Sequence, residues 1–152
     1  MKILDFLCRE AIVTDLETRG KKEAITELVN LLVKAKKVKD SEEIVKILME
    51  REQLGSTGIG QGVAIPHGKT EIVNEIVAAF GISKKGIEFD ALDGEPVYLI
   101  FLLLAPVEAA GTHLKALAKI SRLLKDKFFR QNLKEAKNPE EVIRIINEED
   151  KY

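Results

Sequence analysis

A chain of 152 residues, 45% hydrophobic and 32% charged, has the balance of one folded domain spanning residues 1–152 and excludes a disordered chain. Its 24 Lys and Arg stand against 25 Asp and Glu, a net charge of -1 at pH 7. That near-cancellation argues against nucleic acid as a partner, because such binders carry a basic surplus or stripe. The single cysteine, Cys8, forms no internal disulfide and no thiolate metal cage. The longest apolar run, Val97 to Val107, is far short of the ~20 residues that cross a bilayer, and the N-terminus lacks the pattern of a secretory leader. The expectation is a cytoplasmic protein with no direct membrane insertion.

The chain opens with a helical turn predicted over residues 3–8 and a short apolar stretch at 11–16. Ala24, Leu28, Leu31, Leu32 and Ala35 recur at helical spacing and predict an amphipathic helix over 20–36. Lys34, Lys36, Lys37 and Lys39 follow at its end, where cations suit the helix dipole. Asp40 with Glu43 has the form of a capping box and opens a second helix through about Gln53, with Ile44, Ile47 and Leu48 inward. Strands are then predicted at 63–65, 76–82, 87–89 and 97–104, bounded by Gly, Pro, Asp and Lys. The links 83–86 and 90–96 are too short for a crossover helix, so neighbouring strands there are expected to be antiparallel. Residues 98–104 lack polar alternation, the mark of a central strand covered on both faces. Helical spacing returns from Thr112 through Leu114, Leu117, Ala118, Ser121 and Leu124. A last helix begins at Asn138-Pro139-Glu140-Glu141, with Asn as cap and Pro in the first turn. Helices, then strands, then helices imply an α/β fold, a mixed β-sheet flanked by helices on both faces.

Four of the ten glycines, Gly55, Gly58, Gly60 and Gly62, fall within eight positions. Such a run lets backbone N–H groups approach an anion, although taken alone it is better read as a flexible surface loop. Neither nucleotide motif fits. Gly58-Ile-Gly60-Gln-Gly62 has the wrong spacing for a dinucleotide fingerprint and follows a helix. Gly62 to Gly68-Lys69-Thr70 holds one residue too many for a P-loop, and Pro66 has no N–H to donate.

His67 follows Val63-Ala64-Ile65-Pro66, where a buried strand should emerge at a sheet edge. Histidine titrates near neutrality and can act as nucleophile or as acid and base. His113 falls in the first turn of the helix after the long apolar strand, and a helix N-terminus is a ready anion site. If that strand neighbours residues 63–65, both histidines reach one crevice. A plain helix-cap role for His113 fits the spacing equally well.

Arg51 and the stretch Gly55-Ser-Thr-Gly-Ile-Gly-Gln-Gly-Val-Ala-Ile-Pro-His67-Gly resemble the active segment of phosphotransferase-system enzyme IIA domains of the fructose, mannitol and nitrogen-regulatory type. Leu92-Asp93-Gly94-Glu95-Pro96, Phe101 to Pro106, and His113-Leu114 with Leu117-Ala118 and Leu123-Leu124 extend the resemblance over nearly the whole chain. It implies that His67 is the phosphoryl acceptor, that His113 is the second active-site histidine, and that Arg51 lines the site. It also implies a phosphoryl group received from the carrier protein HPr and passed, in sugar-transport branches, to a cysteine of an enzyme IIB domain. Arg51 would fork onto phosphate oxygens and His113 would donate to one. Backbone N–H groups around Ser56, Thr57 and Gly58 would bind phosphate. No cofactor or metal is implied, since the group arrives already activated.

Two rivals stand beside a sugar-transport phosphocarrier of the fructose type. A stand-alone nitrogen-regulatory IIA protein would use the same chemistry to change its grip on targets, and the want of a linker to a IIB or membrane domain suits it. Phe89-Asp90, Leu92-Asp93-Gly94 and Ser121-Arg122-Leu123-Leu124 are closer to fructose-type members. A metal-dependent hydrolase would pair His67 and His113 with a carboxylate such as Asp93, without a short ligand spacing to support it. For a protein donor and acceptor, Ile59 and Val107 are candidate apolar rim positions, although Ile59 could equally pack under its own loop.

Overall fold

The structure, a computed structural model, describes residues 1–151. A 3₁₀ turn at Ile3–Asp5 leads into β1 (Leu7–Val13), α1 (Lys21–Lys34) and α2 (Ser41–Gln53). Three short strands follow, β2 (Gly58–Gly60), β3 (Val63–Ala64) and β4 (His67–Lys69), then two long ones, β5 (Val77–Ile87) and β6 (Val97–Ala105). The chain closes with α3 (Ala110–Leu123), α4 (Lys127–Glu135) and α5 (Pro139–Glu149). The sheet runs β1-β5-β6-β3-β2, with β4 also on β6. β1 is parallel to β5, and β3 and β4 are parallel to β6, whereas β5–β6 and β2–β3 are antiparallel. The predicted mixed sheet covered on both faces is therefore present, with α1 and α2 on one side and α3, α4 and α5 on the other.

β6 divides the two cores. Leu99, Phe101 and Leu103 join the layer of α3 to α5, while Ile100, Leu102 and Leu104 join the layer of α1 and α2. None of the six is more than 1% exposed. Each such side chain contributes roughly 1.5–3 kcal/mol by leaving water, which is why this strand reads as an unbroken apolar run. Helix starts follow the sequence signals. The Asp40 carboxylate accepts the Glu43 N–H at 3.3 Å, and the Asn138 side chain accepts the Glu141 N–H at 2.9 Å behind Pro139.

Several expectations are corrected. Residues 83–86 do not link two strands. β5 runs through them, and its register against β6 shifts between Ile82 and Ile87, where Gly86 takes φ +89° and donates its N–H to Ser83 Oγ. The opening turn is confined to Ile3–Asp5, because β1 already begins at Leu7. α4 had no apolar periodicity long enough to predict it. It is started by Asp126, which accepts the Phe128 and Phe129 N–H groups, and is pinned by buried Phe129 and Leu133.

α3 starts at Ala110, two residues before the predicted Thr112, and its buried face overlaps the predicted positions only in part. His113, Ala116, Lys119 and Ile120 point inward, while Leu114 is 67% exposed. The helix carries two apolar stripes, and leucine spacing mixed them, joining the outward Leu114 with Leu117, which packs on the core, and Leu124, which is 3% exposed.

The termini are joined through a buried charge. Asp150, 2% exposed, accepts the Ile3 N–H at 2.6 Å and pairs with Lys119 Nζ at 2.7 Å; Lys119 also donates to the Met1 carbonyl. Removing one member of such a pair leaves a buried charge uncompensated, which costs about 3–5 kcal/mol. Asp150→Ala is expected to lower the unfolding free energy by about that amount in urea titration, with the far-UV spectrum of the folded state unchanged.

Candidate functional site

The site begins with a broken strand. β3 pairs with Leu99 and Ile100 of β6, Pro66 interrupts it, and β4 resumes on the same partner with His67 opposite Leu103, Gly68 opposite Leu104 and Lys69 opposite Ala105. Proline cannot donate to a ladder, but its carbonyl still accepts the Leu103 N–H at 2.9 Å. Strand alternation sends His67 and Lys69 toward the α3 side and Gly68 toward α2. A Cβ at Gly68 would lie 2.9 Å from Ile47 Cγ2, so only glycine lets α2 close on this strand.

α3 then brings His113 across, and the two imidazole centroids stand 5.6 Å apart, edge to face. His113 is the fourth residue of the helix, and its N–H is already bonded to the Ala109 carbonyl. It therefore approaches the site through its ring and not its backbone. Ala109 gives the helix no side-chain cap, so the positive end of the dipole is left toward the site.

α2 closes the third side. A cavity of about 880 Å³ is lined by Ile47, Glu50, Arg51, Gln53 and Leu54 from α2, by His67, Gly68 and Lys69 from β4, and by Ala110, His113, Leu114 and Leu117 from α3. Arg51 donates from Nη1 to the Gly55 carbonyl at 2.9 Å, which holds the guanidinium at the helix end. His67, His113 and Arg51 are thus brought to one cavity, as expected.

Ser56, Thr57 and Gly58 do not line that cavity. The Thr57 N–H donates to Glu52 Oε1 at 3.1 Å, its hydroxyl donates to Glu52 Oε2, and the Gly58 N–H donates to Ser56 Oγ at 3.0 Å. The Thr57 and Gly58 N–H groups are therefore already engaged within the protein. Gly58 serves close packing, since a Cβ there would lie 2.9 Å from Ala91. Gly62 supplies a φ of +80° against the Tyr98 ring. Asp93 is likewise occupied, accepting the Gln61 and Glu95 N–H groups at 2.9 and 3.0 Å, and does not line the cavity with the histidines. Among the described residues no group of three or more His, Cys, Asp or Glu has a metal-holding arrangement.

Four contributors escaped the sequence. Lys69 shares the His67 face by the two-residue strand period, a signal that was there to be read. Leu54 and Leu114, 85% and 67% exposed, were hidden because apolar residues at helical spacing are assigned to a core by default. Glu52 is a carboxylate only 6% exposed, and a glutamate in a helix gives no sign of burial.

The electrostatics favour neutral rings. Burial holds His67 below its ordinary 6.5, and the Arg51 charge adds to this, while the Ile65 carbonyl and Glu52 oppose it. Burial pushes His113 down to about 4, with the charges of His67 and Lys69 adding. His67 Nδ1 lies 2.8 Å from the Ile65 carbonyl oxygen. A carbonyl only accepts, so Nδ1 carries the proton and Nε2 keeps the free lone pair of the neutral ring. His113 Nε2 is buried without a hydrogen-bond partner among the described residues, a cost of about 1–3 kcal/mol that a ligand oxygen would relieve.

A mixed α/β sandwich that brings two neutral histidines and an arginine to one cavity has the architecture of a phosphotransferase-system IIA domain. The sequence matches the family described as "Phosphoenolpyruvate-dependent sugar phosphotransferase system, EIIA 2" over residues 5–149, and the chain belongs to that family. It is 41% identical over 151 residues to the fructose-specific EIIABC component of Bacillus subtilis, covering 99% of this chain but only 24% of that protein. It is 39% identical over 148 residues to the nitrogen regulatory protein of Bradyrhizobium diazoefficiens, covering 96% of this chain and 95% of that one. The crystal structure of nitrogen regulatory protein IIA-Ntr from Neisseria meningitidis superposes with a TM-score of 0.87 at 39% identity, over 93% of this chain and 97% of that one.

Because both rings are weaker bases folded than unfolded, the unfolded chain takes their protons first as pH falls. Their contribution to stability is complete above pH 6.5 and is lost as pH falls toward about 4. The urea midpoint is expected to drop across that window, with His113→Asn dropping less, and NMR titration should place the His113 transition near 4.

Proposed function

We propose that this protein is a cytoplasmic phosphocarrier that accepts a phosphoryl group on His67 from phosphorylated HPr and passes it to an enzyme IIB domain. The observation that carries this is the His67 ring itself. Its Nδ1–H is fixed on the Ile65 carbonyl, so a neutral, oriented Nε2 stands beside His113 in a cavity that also holds Arg51. In the step, Nε2 attacks phosphorus and an N–P bond forms as the donor's N–P bond breaks, its electron pair returning to the donor ring. No proton moves and no cofactor is needed. Arg51 spreads two N–H donors over the phosphoryl oxygens, and Lys69 adds charge from the strand. Once an oxygen is present, a proton on His113 Nε2 supplies the hydrogen bond that this nitrogen otherwise lacks.

We infer the donor and acceptor to be proteins from the mouth of the site. Leu54 and Leu114, on opposite helices, leave large apolar side chains in water at the edge of a charged cavity, and Ile59 and Val107, 45% and 49% exposed, offer further apolar surface. A sugar-transport role rests on the likeness to the fructose-specific component and on the fructose-type residues named above. The nitrogen-regulatory role is the second candidate, supported by 39% identity to a nitrogen regulatory protein and by the likeness to the IIA-Ntr structure.

Intact mass after incubation with phosphoenolpyruvate, enzyme I and HPr should show one acid-labile phosphoryl group on the wild type and none on His67→Ala. His113→Ala should be phosphorylated on the order of 10²-fold more slowly, the scale of losing one transition-state donor. Normal phosphorylation of His67→Ala would overturn the assignment. Onward transfer to a fructose-type IIB supports transport, and its failure with intact loading supports regulation. Leu54→Asp and Leu114→Asp should each raise the KM for phosphorylated HPr by roughly tenfold with kcat little changed, since they remove docking contacts and not the chemistry.

A further inference from the structure

The last turn of α2 presents two neighbouring charges in different directions. Arg51 lines the cavity, whereas Glu52 turns under the glycine loop, its side chain only 2% exposed. That carboxylate is engaged on both oxygens. Oε1 accepts the Thr57 N–H and lies 3.1 Å from Lys21 Nζ, and Oε2 accepts the Thr57 hydroxyl. Lys21, at the first position of α1, also stands 4.9 Å over the Phe89 ring and 3.9 Å from Asp90. One buried carboxylate therefore joins the start of α1, the end of α2, the loop before β2 and the segment after β5. A surface ion pair would contribute little, but a buried carboxylate with hydrogen bonds to both oxygens is strongly directional.

We propose that Glu52 is a positioning residue of the phosphoryl-transfer site. With Lys21 it locks the Thr57 loop against the end of α2, which fixes where Arg51 emerges, and its charge acts on the His67 ring in opposition to Arg51. Two independent observations meet here. The Arg51 guanidinium is itself tied to the Gly55 carbonyl, so the loop that Glu52 anchors is the loop that holds Arg51. Among the charges near His67, Arg51 makes its cation less stable and Glu52 makes it more stable. The titratable and charged groups that share the cavity with His67 are Glu50 and Arg51 from α2, Lys69 from its own strand and His113 from α3, and Glu52 acts on the ring from beneath the loop. Of the two nearby carboxylates, Glu52 is the one that is buried and fixed by the loop.

The transfer readout of this inference rests on the proposed role of His67, but the titration readout does not. The variants are Glu52→Gln, which keeps the shape and removes the charge, and Thr57→Val, which keeps the charge and removes the hydroxyl bond. NMR titration of the His67 ring in the unphosphorylated protein should show a lower midpoint in Glu52→Gln, because the cation loses a nearby anion, and an unmoved midpoint in Thr57→Val. Phosphoryl transfer from phosphorylated HPr should slow in both, on the order of 10- to 100-fold for Glu52→Gln, as expected for a displaced catalytic arginine. If Glu52→Gln does not fold, Lys21→Met/Glu52→Gln, which leaves no buried charge unpaired, should show the same lowered midpoint. An unmoved His67 midpoint in the folded charge-removal variant overturns the electrostatic role. Wild-type transfer rates in both single variants overturn the positioning role. Neither result touches the assignment of His67, which fails only if His67→Ala is still phosphorylated.

Discussion

β6 is buried on both faces, so its pairing register cannot slip by one residue without exchanging Leu99, Phe101 and Leu103 with Ile100, Leu102 and Leu104 between two differently shaped cores. That constraint passes to every strand laid along it. His67 opposite Leu103 must point toward α3, and Gly68 opposite Leu104 must point toward α2. A one-residue shift would press the imidazole into Ile47 and leave His113 facing a glycine. The His67 ring is thus oriented by the core before any other residue of the site contributes.

Pro66 makes this register compatible with chemistry. A continuous strand would engage every backbone group of this edge with its neighbours. The break lets the Ile65 carbonyl turn away from the ladder and accept the Nδ1–H of His67, two residues along the chain. One local hydrogen bond then settles both the ring's orientation and which nitrogen is free. The depressed basicity of His67 follows chiefly from the same seating, since the strand places the ring between two helices, out of most of the water.

The mixed sheet and two of the helix caps were legible because each rests on a local rule: β-branched apolar runs, Asp40 and Asn138 ahead of their helices, and two links too short for a crossover, of which 90–96 does join antiparallel strands, whereas the strand order was not. His67, His113 and Arg51 were legible through a sequence resemblance; spacing alone left His113 undecided between a cap and a site residue. What could not be read arises between elements. Ser56 to Gly58 look like an anion cradle in one dimension, but Glu52 and the Ser56 hydroxyl take the Thr57 and Gly58 donors, and nothing in the sequence marks Glu52 as buried. The 83–86 segment reads as a turn because Lys84, Lys85 and Gly86 are polar or permissive, yet β6 keeps it in the sheet through a shifted register. α3 shows the same effect at a helix. Leu114 and Leu117 have core spacing, and only packing shows that His113, Ala116 and Ile120 hold the inner face.

The two stripes of α3 explain how a stable fold can leave its site open. If Leu114 and Leu54 were drawn into the core, the cavity would close over His67, and a group carried on another macromolecule could not reach Nε2. Keeping them in water gives up roughly 1.5–3 kcal/mol apiece, an amount that burial of Ala116, Ile120 and the β6 side chains absorbs elsewhere. The same opening limits how strongly the site holds charge. Arg51, Lys69 and the uncapped end of α3 face a cavity that water enters, where each pairwise attraction is far weaker than in a dry interior. For a carrier this is an advantage, because a phosphoryl group held by fully desolvated cations would be accepted readily and released slowly. On the proposed reading, the positive charge would serve to receive the group, and the exposed mouth would keep the reverse step within reach.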